Sequence, residues 1–225
     1  MTEILVHNTR LITDPSGALY WPEERMLVVS DMHLEKGSAF AVRGQMLPPY
    51  DSTVTLANLK AVLETYKPQR FLALGDSFHD VHANARMDPS TKETLSELAG
   101  SVETIWITGN HDPEIPATLP GERRATVTIR TLTFRHDPLP SPQPGEIAGH
   151  LHPAAKVVTE RGRLRRRCFV SDGTRLLMPA FGTYAGGLNL RDPAIASLFG
   201  KGTMTAHVCG KTKVYSVGRH SLAAD

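Results

Sequence analysis

The sequence is poor in cysteine, in long apolar runs and in aromatic residues, and neither sign of charge is in clear excess. Its two cysteines, Cys168 and Cys209, lie far apart, which excludes a disulfide framework and a zinc ribbon and favours a reducing compartment. The longest apolar runs, such as residues 26–29, are far too short to span a bilayer, and the acidic N-terminal region lacks the apolar core of a signal peptide. We therefore expect a cytoplasmic protein with no membrane-bound part.

The charge balance and the aromatic content give no global sign of a nucleic-acid or membrane partner. Lysine and arginine number 25 and aspartate and glutamate 23, a net charge of +2. Aromatic residues make up only 6%, so no stacking platform for single strands is evident. The ten histidines stand out instead, because histidine is the commonest metal ligand and a frequent proton shuttle. Their positions are the first guide to function.

The pattern of apolar residues predicts a layered α/β fold. In the first half, short buried strands alternate with helices. An apolar period of 3.6 residues predicts one helix, which Asp51 or Ser52 caps and which ends at Tyr66. A second helix is predicted over residues 91–98. Short strands dominate the second half. This order indicates two sheets packed face to face in one domain.

Polar residues follow several of the predicted strands at the points where the strands end. The strand at 26–30 is followed by Asp31-Met32-His33, the strand at 70–74 by Gly75-Asp76, and the strand at 102–108 by Gly109-Asn110-His111-Asp112. Two later strands are followed by His136 and by Gly149-His150-Leu151-His152. Ligand sites of α/β sheets lie outside the carboxyl ends of the strands, so we expect these side chains to meet in one crevice.

The candidate ligands offer carboxylate oxygen, imidazole nitrogen and amide oxygen, but no thiolate. This donor set favours Mn, Fe or Zn in a mixed site. Seven candidates are too many for one ion and suit two ions that share a carboxylate, for which Asp76 is the natural choice; the seven are Asp31, His33, Asp76, Asn110, His136, His150 and His152. Two such ions about 3.5–4 Å apart can clamp a phosphate and generate a bridging hydroxide that attacks phosphorus.

The order of these motifs resembles the calcineurin-like metallophosphoesterase superfamily. The resemblance implies a four-layer αββα sandwich, two mixed β-sheets flanked by helices, with residues 1–225 forming one metallophosphoesterase domain. It implies that one metal is held by Asp31, His33, Asp76 and His152, and the other by Asp76, Asn110, His136 and His150. It also implies that His111 acts as general acid towards the leaving oxygen and that Asp112 orients it.

One position departs from the pattern of the superfamily. Many members carry an acid three positions after the bridging aspartate, where this chain has His79, with Asp80 next. Two interpretations of His79 stay open: it contacts the phosphate or supports a ligand, or it only packs near the site.

Three further stretches resemble a narrower family, the ligase-associated DNA damage response endonucleases (the PdeM family). They are residues 28–37, 75–80 and 178–188, and they extend beyond the shared metal motifs. This resemblance implies a manganese-dependent phosphodiesterase that acts on DNA in DNA repair. It also implies a functional link to an ATP-dependent DNA ligase and an Lhr-type helicase.

A basic segment follows the last histidine motif. Residues 156–167 hold six basic residues and one acidic residue, Glu160. Arg163, Arg165 and Arg167 alternate, which places them on one face of a strand. They are candidate nucleic-acid contacts, because a basic ribbon beside a metal site can hold flanking phosphates. The alternative is a solvated edge strand that its charges protect from aggregation.

The sequence thus favours a binuclear metal phosphodiesterase, and a DNA endonuclease in particular. Two other hydrolases stay open, a nucleotide-pyrophosphate hydrolase of the UDP-diacylglucosamine type and a phosphoprotein phosphatase. A non-catalytic scaffold on the same fold is the alternative from another class. A scaffold would tolerate missing ligands, whereas every ligand position is filled here.

Overall fold

The architecture consists of two mixed β-sheets stacked against each other. The computed structural model describes residues 1–141, 143–159, 162–200, 203–218 and 222–225. The first sheet has its strands in the spatial order of the chain: β1 (Thr2–Val6), β2 (Thr9–Thr13), β3 (Leu19–Trp21), β4 (Met26–Val29), β5 (Arg70–Leu74), β6 (Glu103–Ile107) and β7 (Glu122–Arg124). The strands β1 to β4 pair antiparallel, and β4 to β7 pair parallel.

The second sheet is built from the later part of the chain. Its strands are β8 (Thr126–Ile129), β9 (Leu132–Arg135), β10 (Glu146–Ala148), β11 (Pro153–Thr159), β12 (Gly162–Ser171), β13 (Leu176–Leu177), β14 (Leu188–Asn189), β15 (Thr205–Cys209), β16 (Val214–Val217) and β17 (Leu222–Ala223). The main spatial order is β14-β11-β12-β13-β10-β9-β8, while β15 pairs with β12 and β16, and β17 pairs with β11. The long hairpin of β11 and β12 carries the basic segment.

The helices lie on the outer faces of the sheets. They are α1 (Lys36–Val42), α2 (Asp51–Tyr66), α3 (Ala83–Arg86), α4 (Pro89–Gly100) and α5 (Pro193–Ala196). None of the helices among the described residues combines the length and the apolar composition needed to cross a membrane.

Three apolar layers hold the fold together. Leu59 of α2 and Leu95 of α4 pack with Phe71 against the outer face of the first sheet. Leu72 of the first sheet and Phe134 of the second belong to the core between the sheets. A third cluster, which includes Ile195 of α5, covers the outer face of the second sheet. The two-sheet α/β class expected from the sequence is confirmed.

The predicted helices form, but their ends differ in detail. The helix α2 spans Asp51–Tyr66, and Lys67, with a positive φ of 44°, ends it before Pro68. Among the described residues Asp51 and Ser52 do not cap α2 itself: their side chains accept the backbone N–H groups of Gly37 and Glu35, at 3.0 and 2.8 Å.

The second predicted helix, α4, begins earlier than residue 91. The side chain of Asp88 accepts the N–H of Thr91, and Pro89 occupies the first turn. A capping aspartate followed by proline is a common helix start. The helix α1 is absent from the sequence-based expectations.

Candidate metal centre

The site lies where the carboxyl ends of strands from both sheets meet. The strands β4, β5 and β6 are buried along almost their whole length, as expected for central parallel strands covered on both faces. They deliver Asp31, Asp76 and Asn110 at their ends, while β9 and β10 of the second sheet are followed by His136 and His150. The structure therefore brings the predicted metal-site residues together from five separate loops.

A first group of donor atoms consists of Asp31, His33 and His152. The Nε2 atom of His152 lies 3.2 Å from Oδ1 of Asp31 and 3.1 Å from Nε2 of His33. All three residues are wholly or largely buried. These are the residues that the resemblance assigns to one metal together with Asp76.

A second group consists of Asp76, His136 and His150. The Nε2 atom of His136 lies 3.2 Å from Oδ2 of Asp76, 3.2 Å from Nδ1 of His150 and 3.1 Å from Oδ1 of Asn110. The same Asp76 oxygen is 4.0 Å from Nε2 of His33 in the first group. The Asp76 carboxylate thus lies between the two groups, which is the position that a bridging ligand needs.

The residues present fit a pair of divalent ions. Within each group the donor atoms lie within 4.8 Å of one another, and ring nitrogens of neighbouring histidines point at each other. Buried imidazole nitrogens and carboxylate oxygens converge in this way around metals that accept mixed N and O ligands. His33 and Asp31 would hold one ion, His136 and His150 the other, with Asp76 shared between them.

The backbone around these residues adopts conformations that side chains rarely take. Positive φ angles between 45° and 67° occur at Asp31, His33, Asp76, His150 and His152. Such conformations cost of order 1–3 kcal/mol each and persist where the surrounding structure imposes them, often at functional sites. Their concentration here shows that the loops are bent to aim these side chains at one point.

Burial and neighbouring charges shift the pKa values of several candidate ligands, in different directions. Burial acts to raise the pKa values of Asp31 and Asp76, but hydrogen bonds and charges of neighbouring histidines outweigh it, so that the pKa of Asp31 is lowered and that of Asp76 falls to about 2. Burial lowers the pKa of His33 to about 3. Burial opposes protonation of His136 too, but the hydrogen bond to Asp76 raises its pKa to about 9, so metal binding there would release a proton.

His111 and His79 stack beside the first group. Their ring centroids are 5.4 Å apart, and the His33 ring lies 5.1 Å from that of His111. The Nδ1 atom of His111 lies 2.6 Å from the carbonyl oxygen of His79, a contact that orients the His111 ring. Burial and the charge of Lys36 lower the pKa of His79 to about 4.

Asp112 makes contacts other than the one expected for it. Its carboxylate accepts the backbone N–H groups of Asp76, Ser77, Phe78 and Gly109, at 2.7–3.1 Å. Among the described residues, the oxygen paired with the His111 ring is the His79 carbonyl and not the Asp112 carboxylate. Asp112 therefore clamps together the loops that follow β5 and β6.

The basic hairpin forms one wall of a groove beside His152. The groove has a volume of about 370 Å³ and is lined by Arg165, Arg166 and Arg167, by the loop at 180–187 and by Val54 and Asn58 of α2. Arg167 donates to the carbonyl oxygens of Ala180 and Phe181, both at 3.2 Å.

The other members of the basic segment are placed differently. Arg165 contacts the carbonyl oxygen of Gly187 at 2.5 Å and Asp225 at 3.3 Å. Arg163 pairs with Val158 nearer the hairpin tip and does not line the groove. Glu160 and Arg161 lie outside the described residues.

Sequence reasoning missed two polar residues at the site. Ser30 donates to Oδ2 of Asp31 at 2.5 Å, and Arg135 lies in a second groove beside His136 and His150. Ser30 closes a buried strand and Arg135 directly precedes His136, so their adjacency to predicted ligands was the available signal.

Comparison with known proteins places this arrangement in context. A calcineurin-like phosphoesterase family model matches residues 24–179. The crystal structure of the Pseudomonas putida nuclease MPE is similar, with a TM-score of 0.72 and 27% sequence identity over 95% of this chain and 99% of that one. The E. coli phosphoesterase YfcE has a TM-score of 0.43 and 14% identity over 86% of this chain and 98% of that one. No curated protein sequence gives a significant match.

Proposed function

The chain belongs to the calcineurin-like phosphoesterase family, and we propose that it is a binuclear metal-dependent phosphodiesterase that cleaves DNA internally. The observation that carries the proposal is the convergence of six His and Asp side chains into two adjacent groups, with Asn110 beside the second group and the Asp76 carboxylate between the two. This arrangement suits the hydrolysis of a phosphate ester. Two bound divalent ions, manganese by preference and iron or zinc as alternatives, would have two functions. They would stabilise the negative charge of the phosphate, and they would supply hydroxide at neutral pH.

Two observations support a nucleic-acid substrate over other phosphoesters. The structure of similar fold and 27% identity is that of a nuclease. The arginines of β12 line a groove that begins at His152, where they can bind the phosphates of a chain that extends from the metal centre. The resemblance to ligase-associated endonucleases adds the DNA repair context, with an ATP-dependent ligase and an Lhr-type helicase as functional partners. Residues 1–225 form one domain in this proposal.

The residues of the chain divide the chemistry between them. Seven residues would hold the metals: Asp31, His33, Asp76, Asn110, His136, His150 and His152. His111, fixed through Nδ1 by the His79 carbonyl, donates a proton from Nε2 to the departing sugar oxygen. His79 keeps the His111 ring in place by stacking on it. Asp112 holds the loops that carry Asp76 and Gly109 at their correct separation.

The experiment that tests the proposal compares three substrates with Mn²⁺ added: closed circular DNA, a nucleotide pyrophosphate and an aryl phosphate monoester. We expect nicking of the circular DNA and two metal ions bound per chain. Preference for the pyrophosphate or the monoester would replace the nuclease proposal by the corresponding hydrolase. Absence of metal binding would support a non-catalytic scaffold.

Substitutions assign the roles of Asn110 and His111. Asn110→Ala should lose activity on every substrate, and full activity of this variant on bis-p-nitrophenyl phosphate would refute the ligand assignment. His111→Ala should slow DNA cleavage by about 100-fold or more, since general acids contribute 10²–10⁴-fold, and slow the aryl diester much less because its leaving group needs no proton. An equal loss on both substrates would argue against the acid role. His82→Ala, which removes an exposed histidine, is the matched control.

A further inference from the structure

We infer that Arg135 binds a backbone phosphate on the opposite side of the metal centre from the arginines of β12, so that a nucleic-acid strand crosses the centre and continues beyond it. The inference rests on the proposed nuclease function and assigns a second half to its binding surface.

Two grooves flank the donor atoms, each beside a different group. The groove lined by the β12 arginines reaches His152 of the first group. A separate groove of about 280 Å³ is lined by Asn110, His136 and His150 around the second group, and also by Arg135. A phosphate monoester needs no binding surface beyond the centre, whereas an internal phosphodiester has chain on both sides. The paired grooves match an internal phosphodiester.

The charge balance around Arg135 leaves one positive charge over. Its partner is Glu146, which is buried and whose other oxygen already bonds the buried guanidinium of Arg175. Arg175 is held further by the carbonyl oxygens of Leu139 and Leu198, at 2.8 and 3.1 Å. One carboxylate thus serves two guanidinium groups, and the excess charge belongs to the one that reaches solvent.

Arg135 is the one of the two whose side chain is partly exposed. Its side chain is 23% exposed, against 1% for Arg175. Its Nε atom is buried, lies 3.3 Å from Oε1 of Glu146 and has no hydrogen-bond partner among the described residues. Glu146 instead accepts the N–H of Leu139 with that oxygen, at 3.1 Å. A guanidinium that reaches a groove beside a metal centre is suited to a phosphate, which its two terminal nitrogens can bind in a bidentate manner. Asp137 also lines this groove and is exposed, so the phosphate must lie on the Arg135 side.

The test measures kcat/KM on closed circular DNA and on bis-p-nitrophenyl phosphate, with Mn²⁺ and over a range of salt concentrations. The proteins are the parent chain, Arg135→Gln, Arg135→Lys and Arg130→Gln. Arg130 lies beyond the other end of β9, where it pairs with Glu24, and provides the matched loss of one charge away from the groove. Thermal unfolding of each variant is recorded in parallel.

We expect the ratio of kcat/KM on DNA to that on the small diester to fall at least tenfold in Arg135→Gln. Arg135→Lys should retain only part of the ratio, because lysine keeps the charge but not the bidentate geometry, and Arg130→Gln should retain all of it. The slope of log kcat/KM on DNA against log salt should become shallower by about 0.7–0.9 in Arg135→Gln, the contribution of one phosphate contact.

Three results would overturn the inference, and they are distinguishable. An unchanged ratio and salt slope in Arg135→Gln, with DNA cleaved by the parent, would refute the role of Arg135 alone. Equal losses on both substrates with a lowered unfolding temperature would show that Arg135 only stabilises Glu146. A parent chain that hydrolyses the small diester but leaves DNA intact would refute the nuclease proposal and this inference with it.

Discussion

A single methyl group added at Gly109 should disable the metal centre without replacing any ligand. A Cβ atom at this position would lie 2.1 Å from Oδ1 of Asp76, 2.4 Å from the backbone nitrogen of Asp76 and 2.9 Å from Oδ1 of Asp112. The backbone at Gly109 is outside the positive-φ region, so alanine itself would be unstrained there. The effect of Gly109→Ala would come entirely from these contacts.

The distances set the size of the effect. Ordinary van der Waals contact begins at 3.4 Å, so the loop after β5 must retreat by about 1 Å. One of the clashing atoms is backbone, which means that Asp76 moves as a whole and cannot simply rotate away. Overpacking of this kind costs about 1–3 kcal/mol, and a 1 Å misplacement can cost about 100-fold in rate.

The assay is Mn²⁺-dependent hydrolysis of bis-p-nitrophenyl phosphate together with urea unfolding. We expect kcat to fall by about 100-fold and the free energy of unfolding by about 1–3 kcal/mol. Gly100→Ala is the matched control, because its new methyl would meet nothing closer than Pro120 Cγ at 3.6 Å. This control should keep full activity. Parental activity and stability in Gly109→Ala would refute the argument that these two loops are held at a fixed separation.

Two further substitutions separate structural from binding roles. Asp112→Asn should lower the free energy of unfolding by at least about 2 kcal/mol in urea titrations, because each carboxylate oxygen accepts two backbone N–H groups and the asparagine NH2, itself a donor, would leave two of them without an acceptor. Lost activity at unchanged stability would instead support an orienting role towards His111. Arg165→Gln should weaken DNA binding and make its salt slope shallower by about 0.7–0.9, in titrations followed by fluorescence anisotropy. Arg10→Gln, an exposed arginine paired with Glu3 on the first sheet, is the control, and an identical slope in both variants would contradict the groove assignment.

The sequence predicted the helix α2, because its apolar period and its end depend on residues that are close together in the chain. The period of 3.6 apolar residues and the Lys67-Pro68 stop predicted α2, and its observed end agrees. The helix α1 has no comparable signal. Its first turn is fixed by Asp51, which accepts the N–H of Gly37 from a distance of fourteen positions along the chain. Such a contact exists only once α1 and α2 are packed together.

The site likewise has features that the sequence predicted and features that depend on tertiary contacts. Each metal-site motif directly follows a buried strand, and the carboxyl ends of parallel strands share one edge, so their meeting could be predicted. The partner of Asp112 could not be predicted, since a carboxylate two residues from Asn110 can reach either a ring or a neighbouring loop. The geometry of the loop after β5 decides in favour of backbone N–H groups.

The sequence alone determined the chemical identity of the site, because the residue types and their spacing limit the donors to oxygen and nitrogen and place them after strands. It also determined the layered α/β class, because periodicity follows from which faces are buried. Only the tertiary structure decided how the donors divide into two groups around Asp76, and which of two arginines on Glu146 reaches solvent. Both depend on distances between loops that are remote in sequence, and those distances are fixed by the stacking of the two sheets.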